Sequence, residues 1–253
     1  MPNANLYLHE IIHIVGAGSE PYKQHTAEGW QGRWRSGGAE LVGMWQQSGS
    51  TGDWPKVINL WEMKGWDHWA EILERQYSGE GQPPGLKEWW AQALAFRSGG
   101  HDRILEPADF SPTRQELACG PVRGKACIQE IATCVPGKVD DYLDAVASRW
   151  RPVASQRGLT LAGAWRVTMR DDEAVLMWCL PTLRDYTDHL KTWRTARETR
   201  AWAETARTWR TQYRETLIVP SQWCVLHPGW KAMPVAKARR APSRPVAKRR
   251  SRR

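Results

Sequence analysis

The sequence predicts an α+β protein that consists of two related halves followed by a basic tail. Three observations predict this: an internal repeat, the same order of predicted elements in both halves, and a cluster of positive charge at the end of the chain. The internal repeat comes before the other two, because a fold assignment that overlooks a repeat is wrong. Ten residue types return unchanged 120 positions later, beginning at Glu10, Ile11, Val15, Tyr22, Ala27, Trp30, Gly38, Leu41, Gly43 and Trp45.

The elements of the first half follow from apolar runs and their breakers. Runs of β-branched and apolar residues predict strands. Pro21 suits the first turn of a helix that the glycines at 37 and 38 end. The pattern predicts strands at 6–15, 40–47, 56–63 and 104–110, and helices at 19–35, 67–77 and 86–96.

The second half repeats these elements. Thr182 followed by Asp185 resembles a capping box, which marks a helix start. We expect strands near 125–135, 159–169, 174–180 and 216–224, and helices near 139–156, 183–194 and 198–213. The order β-α-β-β-α-α-β in each half is close to that of the ferredoxin-like fold.

The strands are apolar on both faces, which predicts that each sheet is covered twice. Alternation places Leu41, Gly43 and Trp45 on one face and Val42 and Met44 on the other. Helices cover one face, and the sheet of the other half is the obvious cover for the second. The two sheets then close into one barrel within the chain, although pairing between two whole chains, a homodimer, would satisfy the same pattern.

Short motifs in the first half resemble those of the NIPSNAP family. They are His9-Glu10-Ile11, Gly43-Met44-Trp45, Leu60-Trp61 and the run from Ile104 to Pro112 with the sequence ILEPADFSP. The resemblance covers nearly all of residues 6–112 and, more weakly, 125–225. It implies the dimeric α/β-barrel fold of ferredoxin-like units. Family members often carry an arginine two residues after the glutamate, where this chain has Ile12 and Ala132, and the family offers no agreed catalytic residues.

These observations divide the chain into three regions. We expect a NIPSNAP-like ferredoxin-like repeat at 1–115, a second at 122–228, and a disordered basic tail at 229–253. Residues 231–253 hold ten basic and no acidic residues, so the rest of the chain has a net charge of −1 out of the total +9. A segment of this composition cannot bury a core.

Composition also bears on the cellular location of the protein. The chain has no run of 18 apolar residues, which predicts no transmembrane segment, and its N-terminus does not resemble a signal peptide. The five cysteines are an odd number without a Cys-x-x-Cys spacing, which favours buried thiols and a cytoplasmic location. No phosphate-binding loop, catalytic triad or zinc spacing is present.

Glu10 and Glu130 are the candidate catalytic carboxylates, together with His13. Both glutamates lie on otherwise apolar strand faces, where a carboxylate must be paired or have a raised pKa, and such groups cluster at functional sites. The alternative is a structural role, as a hydrogen bond or as an ion pair with Arg97 and Arg210, which also repeat. A closed pocket around Glu10, His13 or Trp61 would favour an enzyme, whereas a filled core would favour a binding module.

A ligand pocket lined by tryptophan is a second expectation, because the chain has 17 tryptophans and two phenylalanines. Glycine within a strand marks the close approach of a ligand or of a large neighbour. A structural reading is that an indole such as Trp30 or Trp150 fills that space. The candidate pocket residues are His9, Gly43, Trp45, Trp61, Arg97, Gly163, Trp165, Trp178 and Arg210.

We expect neither a metal nor a cofactor. His9 and His13 lie about 13 Å apart along one strand, at about 3.3 Å per residue, which is too far for one metal ion. No histidine repeats at a position suited to a haem ligand.

Three functions are therefore open. The first is binding of a small apolar ligand or a protein partner, and the second is a small-molecule enzyme of the dimeric α/β-barrel type (a cofactor-free or haem-dependent oxygenase, or an isomerase). The third is nucleic-acid association through the tail. A flexible basic segment releases counterions from phosphates and binds nucleic acid or an anionic surface without specificity. The tail residues that would do so are Lys237, Arg239, Arg240, Arg244, Lys248, Arg249, Arg250, Arg252 and Arg253.

Overall fold

A computed structural model describes residues 3–30, 38–77 and 84–231. The predicted tail from residue 232 onward and the last part of the first predicted helix lie outside the described residues. In the described part, the strands are β1 Leu6–Ile14, β2 Glu40–Gln47, β3 Lys56–Met63, β4 Arg97–Pro107, β5 Ala126–Cys134, β6 Thr160–Val167, β7 Glu173–Leu180 and β8 Arg210–Pro220. The α-helices are α1 Ser19–His25, α2 Trp66–Tyr77, α3 Pro84–Ala93, α4 Arg114–Cys119, α5 Val139–Ala145, α6 Arg151–Gln156, α7 Leu183–Trp193 and α8 Arg197–Ala206.

The eight described strands form one closed antiparallel barrel. Each half contributes a four-stranded sheet, with the order β4-β1-β3-β2 in the first half and β8-β5-β7-β6 in the second. Short pairings of β2 with β8 and of β4 with β6 join the two sheets. The barrel therefore closes within one chain, which decides between the two arrangements that the apolar strand faces allowed.

The internal repeat extends to irregular features of the backbone. A π-helical turn at Thr26–Trp30 follows α1, and one at Val146–Trp150 follows α5. The register shifts once at the end of β1 and once at the end of β5, and also between Leu41 and Gly43 and between Leu161 and Gly163. Shared irregularities at the same offsets show that the two halves have the same backbone design, not only the same order of elements.

The predicted faces of β2 were wrong because of the bulge between Leu41 and Gly43. Leu41 and Met44 pack together on the helix-covered side of the sheet, whereas Val42 and Trp45 pack inside the barrel. A bulge adds one residue to a strand, so simple alternation fails beyond it.

Two strand boundaries also differ from the prediction. β4 begins at Arg97 and β8 at Arg210, well before the predicted 104 and 216, and α8 ends at Ala206 although the prediction extended it to 213. The first halves of both strands are polar and largely exposed, so they lack the apolar signal of a strand. The helix α4 was not predicted, although Thr113 and Glu116 form a capping box at its start. The capping box at Thr182 is confirmed.

Cysteines Cys127, Cys134, Cys179 and Cys224 are buried free thiols, and Cys119 is an exposed one. Within residues 3–30, 38–77 and 84–231, no helix is long and apolar enough to cross a membrane. The same residues contain no cluster of three or more histidine, cysteine or acidic side chains that could hold a metal ion.

Candidate functional site

Glu10 and Glu130 occupy equivalent positions, on the side of each sheet that the helices cover. On β1, Tyr7 and Ile11 face the barrel interior, whereas Ile12 packs with Trp61 under the helices. Alternation along the strand places Glu10 on the same side as Ile12. The surroundings of the two carboxylates nevertheless differ, and this difference defines the candidate site.

In the second half, Glu130 is the centre of a closed hydrogen-bond network. Its Oε1 accepts hydrogen bonds from the hydroxyl of Tyr142 and from Nη1 of Arg210, the latter at 3.2 Å, and its Oε2 accepts one from Nε1 of Trp178 at 3.2 Å. The Glu130 and Arg210 side chains are 4% and 7% exposed. Every charge in this network has a partner, which is the arrangement expected of a structural ion pair.

Stacked aromatic side chains fill the space around this pair. Trp150 stacks on Trp202 with ring centroids 5.8 Å apart, and Trp193 stacks on Tyr213 at 6.3 Å. The guanidinium carbon of Arg210 lies 4.1 Å from the ring centroid of Tyr213. In the second half, aromatic side chains therefore occupy the space beside Glu130 in which a ligand would have to lie.

In the first half, the corresponding arginine does not pair with the carboxylate. Nη2 of Arg97 donates to the carbonyl of Gly99 at 3.4 Å, and its guanidinium carbon lies 4.7 Å from the ring centroid of Trp90. No ion pair within 4 Å joins Arg97 to Glu10 in the described part of the chain. Glu10 therefore has neutral hydrogen-bond donors in place of the cation that Glu130 has.

Those donors act on one oxygen of Glu10 only. Oε2 accepts from Nε1 of Trp61 at 2.8 Å and from Nδ2 of Asn59 at 3.0 Å. Asn59 also donates to the hydroxyl of Tyr22 at 2.8 Å, so it connects the tyrosine and the glutamate that bond directly in the second half. Among the described residues, Oε1 of Glu10 accepts no hydrogen bond, which leaves it available to a ligand.

A cavity of about 600 Å³, the repeat-1 cavity, lies beside Glu10 between the first sheet and its helices. Its floor is Leu8, Glu10 and Trp61 from the sheet, and its wall comes from the apolar faces of α2 and α3, which contribute Trp69, Ile72, Leu73, Leu86, Trp89 and Trp90. Two aromatic residues of the second half, Trp193 and Tyr213, correspond to Gln76 and Gly100 here. Gln76 lines the cavity, so a polar side chain takes the place of an aromatic ring there.

Burial raises the pKa of Glu10 above its ordinary value, and the nearby carboxylate of Asp102 raises it further. The hydrogen bonds from Asn59 and Trp61 and the positive charge of Arg97 lower the pKa of Glu10, but they are weaker than burial. Asp102, which lies opposite Glu10 on β4, also has a raised pKa because of burial. Two adjacent carboxyl groups with raised pKa values at the edge of a cavity can exchange protons with a bound molecule.

Charged residues at the rim of the cavity come from both halves. Nε of Arg103 donates to Oε1 of Glu173 at 2.6 Å, and Nη1 of Arg103 donates to Nε2 of His101 at 2.6 Å. Burial and the charge of Arg103 lower the pKa of His101. Arg170 of the second half also lines the rim. The cavity thus has an aromatic interior with a carboxyl floor and a polar rim.

Several candidate pocket residues lie elsewhere in the structure. His9 lies inside the barrel, where its Nε2 is 3.2 Å from Oε1 of Gln129, and burial lowers its pKa to about 3. His13 is exposed on β1. Trp178 and Arg210 belong to the filled second half, and Arg97 does not line the cavity.

The indole that covers each strand glycine is the one two residues further along the same strand. A Cβ added to Gly43 would lie 2.7 Å from Cη2 of Trp45, and one added to Gly163 would lie 2.0 Å from Cη2 of Trp165. The expectation that Trp150 fills this space was wrong, because Trp150 stacks among the helices. The same expectation for Trp30 falls on a side chain outside the described part of the structure. These glycines therefore accommodate tryptophans of the barrel interior.

Sequence reasoning identified Glu10 and Trp61 but missed Tyr22, Asn59, Asp102 and Arg103. Asn59 had a detectable signal, since it is a polar residue within the apolar run VINLW and its counterpart in the second half is Leu176. Tyr22 repeats as Tyr142, which also marks it. Asp102 and Arg103 lie in the polar half of β4 that the apolar pattern did not predict.

Comparisons with solved structures show the fold. An anthrone oxidase-like protein has a TM-score of 0.58 and 10% identity over 87% of this chain and 92% of its own. A protein of Lactobacillus acidophilus, provisionally described as a monooxygenase, has a TM-score of 0.57 and 8% identity over 86% of this chain and 94% of its own. Both cover nearly the whole chain, which supports the barrel fold.

The NIPSNAP resemblance is found again among solved structures. A NIPSNAP domain protein of Burkholderia xenovorans is 19% identical over 43% of this chain and 99% of its own, with a TM-score of 0.36. A NIPSNAP family protein of Agrobacterium tumefaciens is 21% identical over 44% of this chain and 93% of its own, also with a TM-score of 0.36. No protein-family model and no curated protein matches the chain.

Proposed function

We propose that the protein binds a small, flat, mostly apolar molecule in the repeat-1 cavity, with a donor group of the ligand bonded to Glu10. The observation that supports this most is the difference between the equivalent carboxylates. Glu130 is buried with all its charges paired, whereas Glu10 has one oxygen without a partner among the described residues and lies at a cavity. Ligand pockets typically combine apolar walls with a few polar groups that fix orientation.

The chemistry of the cavity restricts the ligand. The tryptophans of α2 and α3 offer flat surfaces to an aromatic ring. An ionised Glu10 repels a carboxylate or a phosphate next to it, so the donor group is neutral, such as a phenol or an amide. A volume of about 600 Å³ accommodates a molecule of two or three fused rings.

Binding of 2-naphthol, measured by calorimetry, tests the proposal, with 2-methoxynaphthalene as a probe that lacks the donor. We expect 2-naphthol to bind more tightly than its methyl ether to the wild-type protein, and the preference to disappear in Glu10→Gln. Equal affinity of the two probes for the wild-type protein would contradict the role of Glu10.

The repeat provides a matched pair of variants for the location of the site. Leu73 lines the cavity on α2, and Leu190 is its counterpart on α7, where it is 45% exposed. Leu73→Trp fills the cavity and should abolish binding of 2-naphthol, whereas Leu190→Trp should leave it unchanged. Binding that survives Leu73→Trp would place the site elsewhere.

An enzymatic role, proton transfer by Glu10, is the second candidate function. The raised pKa values of Glu10 and Asp102 at one cavity support it, because a general base acts best when its pKa lies near the working pH. In such a step, Glu10 takes a proton from an acidic C–H bond of a bound ketone, and the electron pair of that bond forms the enolate. Return of this proton to a different carbon completes an isomerisation, and exchange of the Glu10 proton with solvent before its return to the same carbon completes an isotope exchange.

Exchange of the C1 protons of 2-tetralone with deuterium, followed by NMR in D₂O, tests this step. Catalysis predicts faster exchange with the wild-type protein than with Glu10→Gln, and the same loss in Leu73→Trp. If both variants match the wild-type rate, the cavity binds without proton transfer, and the binding proposal is unaffected.

The basic segment 231–253 supports a separate proposal, namely nonspecific association with nucleic acid. Its ten basic residues and lack of acidic residues provide the charge. Removal of residues 231–253 should abolish binding to a 30-base-pair DNA together with its dependence on salt. Undiminished binding by the truncated chain would contradict this proposal.

A further inference from the structure

A second pocket lies on the opposite junction of the barrel from the repeat-1 cavity, where β2 meets β8. This junction pocket has a volume of about 520 Å³. Three buried polar residues line it, Lys23 of α1, Gln47 of β2 and Ser221 after β8, with exposed fractions of 3%, 5% and 9%. The indoles of Trp54 and Trp223 also line it.

The internal repeat shows that the fold does not require these polar residues. The counterparts of Lys23, Gln47 and Ser221 at the β4–β6 junction are Leu143, Val167 and Ala108. The backbone is the same at both places, since the amide of Ser221 donates to Met44 and the amide of Ala108 donates to Ala164, each at 2.9 Å. Identical backbone positions are therefore polar at one junction and apolar at the other.

The polar groups at the β2–β8 junction also lack a full set of partners. Oγ of Ser221 is buried and accepts or donates no hydrogen bond within the described part of the chain. The ammonium of Lys23, on a side chain that is 4% exposed, donates to Glu20, whose own side chain is 72% exposed. Burial of a cation is unfavourable unless it is paired, and a mostly solvated carboxylate is a weak partner.

We propose that the junction pocket binds a small anionic ligand, whose carboxylate or phosphate group takes hydrogen bonds from Lys23 and Ser221 and whose apolar part lies against Trp54 and Trp223. Bonds between an ammonium and an anionic oxygen are among the stronger hydrogen bonds in proteins. Glu20 competes with the ligand for the ammonium, and its exposed side chain can turn into solvent when the ligand binds. The site is independent of Glu10 and of the repeat-1 cavity.

Fluorine NMR of the protein labelled with 5-fluorotryptophan tests the proposal, with benzoate as the anionic probe and benzyl alcohol as its neutral counterpart. The resonances of the two pocket indoles are assigned with Trp54→Phe and Trp223→Phe. We expect benzoate to shift both resonances in a saturable manner, with an affinity about tenfold higher than that of benzyl alcohol, as a charge-assisted bond predicts. Inorganic phosphate should compete if the anion-binding group alone suffices, and fail to compete if the ring is needed; both results retain the site.

Two variants at the junction pocket should change benzoate binding in opposite directions. Lys23→Leu, which introduces the residue of the other junction, should remove the preference for benzoate, whereas Glu20→Gln should strengthen benzoate binding. Lys191 forms the same kind of pair with Asp188 on the exposed face of α7, so Lys191→Leu is the matched control and should change nothing. Leu73→Trp should also leave benzoate binding intact, which separates this site from the repeat-1 cavity.

Three results would overturn the proposal. They are no shift of either indole resonance with benzoate, equal affinities for benzoate and benzyl alcohol, and unchanged benzoate binding in Lys23→Leu. If the spectrum shows that Lys23→Leu does not fold, Glu20→Gln decides the matter, because benzoate binding that it does not strengthen contradicts competition for the ammonium.

Discussion

The two halves of the chain place the same glutamate in the same strand and use it differently. Glu130 is bonded to Tyr142, Trp178 and Arg210 under a layer of stacked indoles. Glu10 also accepts a hydrogen bond from a tryptophan, Trp61, but its other donor is Asn59 instead of a tyrosine and an arginine. Glu10 also lies at a cavity. The comparison shows that a repeated residue is not evidence of a repeated role, since the role depends on its neighbours.

A few substitutions explain the divergence. Leu176 of the second half corresponds to Asn59, Trp193 to Gln76, and Tyr213 to Gly100. Each removes an apolar or aromatic group from the first half and leaves space or a hydrogen-bonding atom.

Glu130→Gln should produce the largest effect on stability. It leaves Arg210 as a buried and uncompensated cation, which typically destabilises a protein by about 3–5 kcal/mol. Urea denaturation at pH 7 measures the loss. The same substitution at Glu10 breaks no ion pair among the described residues and should not destabilise the protein, so equal losses for both variants would refute the difference between the halves.

Tyr213→Gly should convert part of the second half to the open form of the first. The ring is half-buried over Arg210, so we expect a loss of about 2 kcal/mol, below the range of 3–5 kcal/mol for a fully buried aromatic residue. Thermal or urea denaturation gives the loss. Binding of 2-naphthol with a stoichiometry above one would indicate that a second cavity has opened, and an unchanged stability would show that Tyr213 does not hold the packed core.

Asn59→Leu should convert part of the first half to the closed form of the second. Asn59 is buried and its Oδ1 has no partner among the residues that the structure describes, so its replacement should alter the free energy of unfolding by about 1 kcal/mol or less. Loss of its donor raises the pKa of Glu10 further and should weaken binding of 2-naphthol at pH 7. Titration of both proteins with the same probe checks this, and stronger binding in the variant would contradict the role of Asn59.

The smallest expected effect is a pH-dependent gain in stability in Glu10→Gln. Because the pKa of Glu10 is raised in the folded state, the folded protein holds this proton more tightly than the unfolded chain. The wild-type protein therefore loses stability as the pH rises from the ordinary value of 4.5 through the raised pKa. The variant should be more stable than the wild-type protein at pH 7 and lose this advantage near pH 4; a constant difference would show that ionisation is not its cause.

Much of the fold could be predicted from the sequence, because the repeat fixed the register of two halves and the apolar strands required cover on both faces. The bulges at Leu41 and Leu161 could not be predicted, since they depend on tertiary packing of Trp45 and Trp165 over glycines. The polar starts of β4 and β8 carry no apolar signal. Glu10 and Trp61 were identifiable by repetition, but the cavity was not, because it results from missing aromatic groups at positions distant in sequence.

The most direct test of the account is the pKa of Glu10, measured by carbon NMR of protein with labelled glutamate carboxyl groups and assigned with Glu10→Gln. We expect its resonance to titrate above the ordinary pKa of 4.5 and to move when 2-naphthol is added. A resonance that titrates at or below 4.5 and does not respond to 2-naphthol would show that Glu10, like Glu130, is only a structural carboxylate.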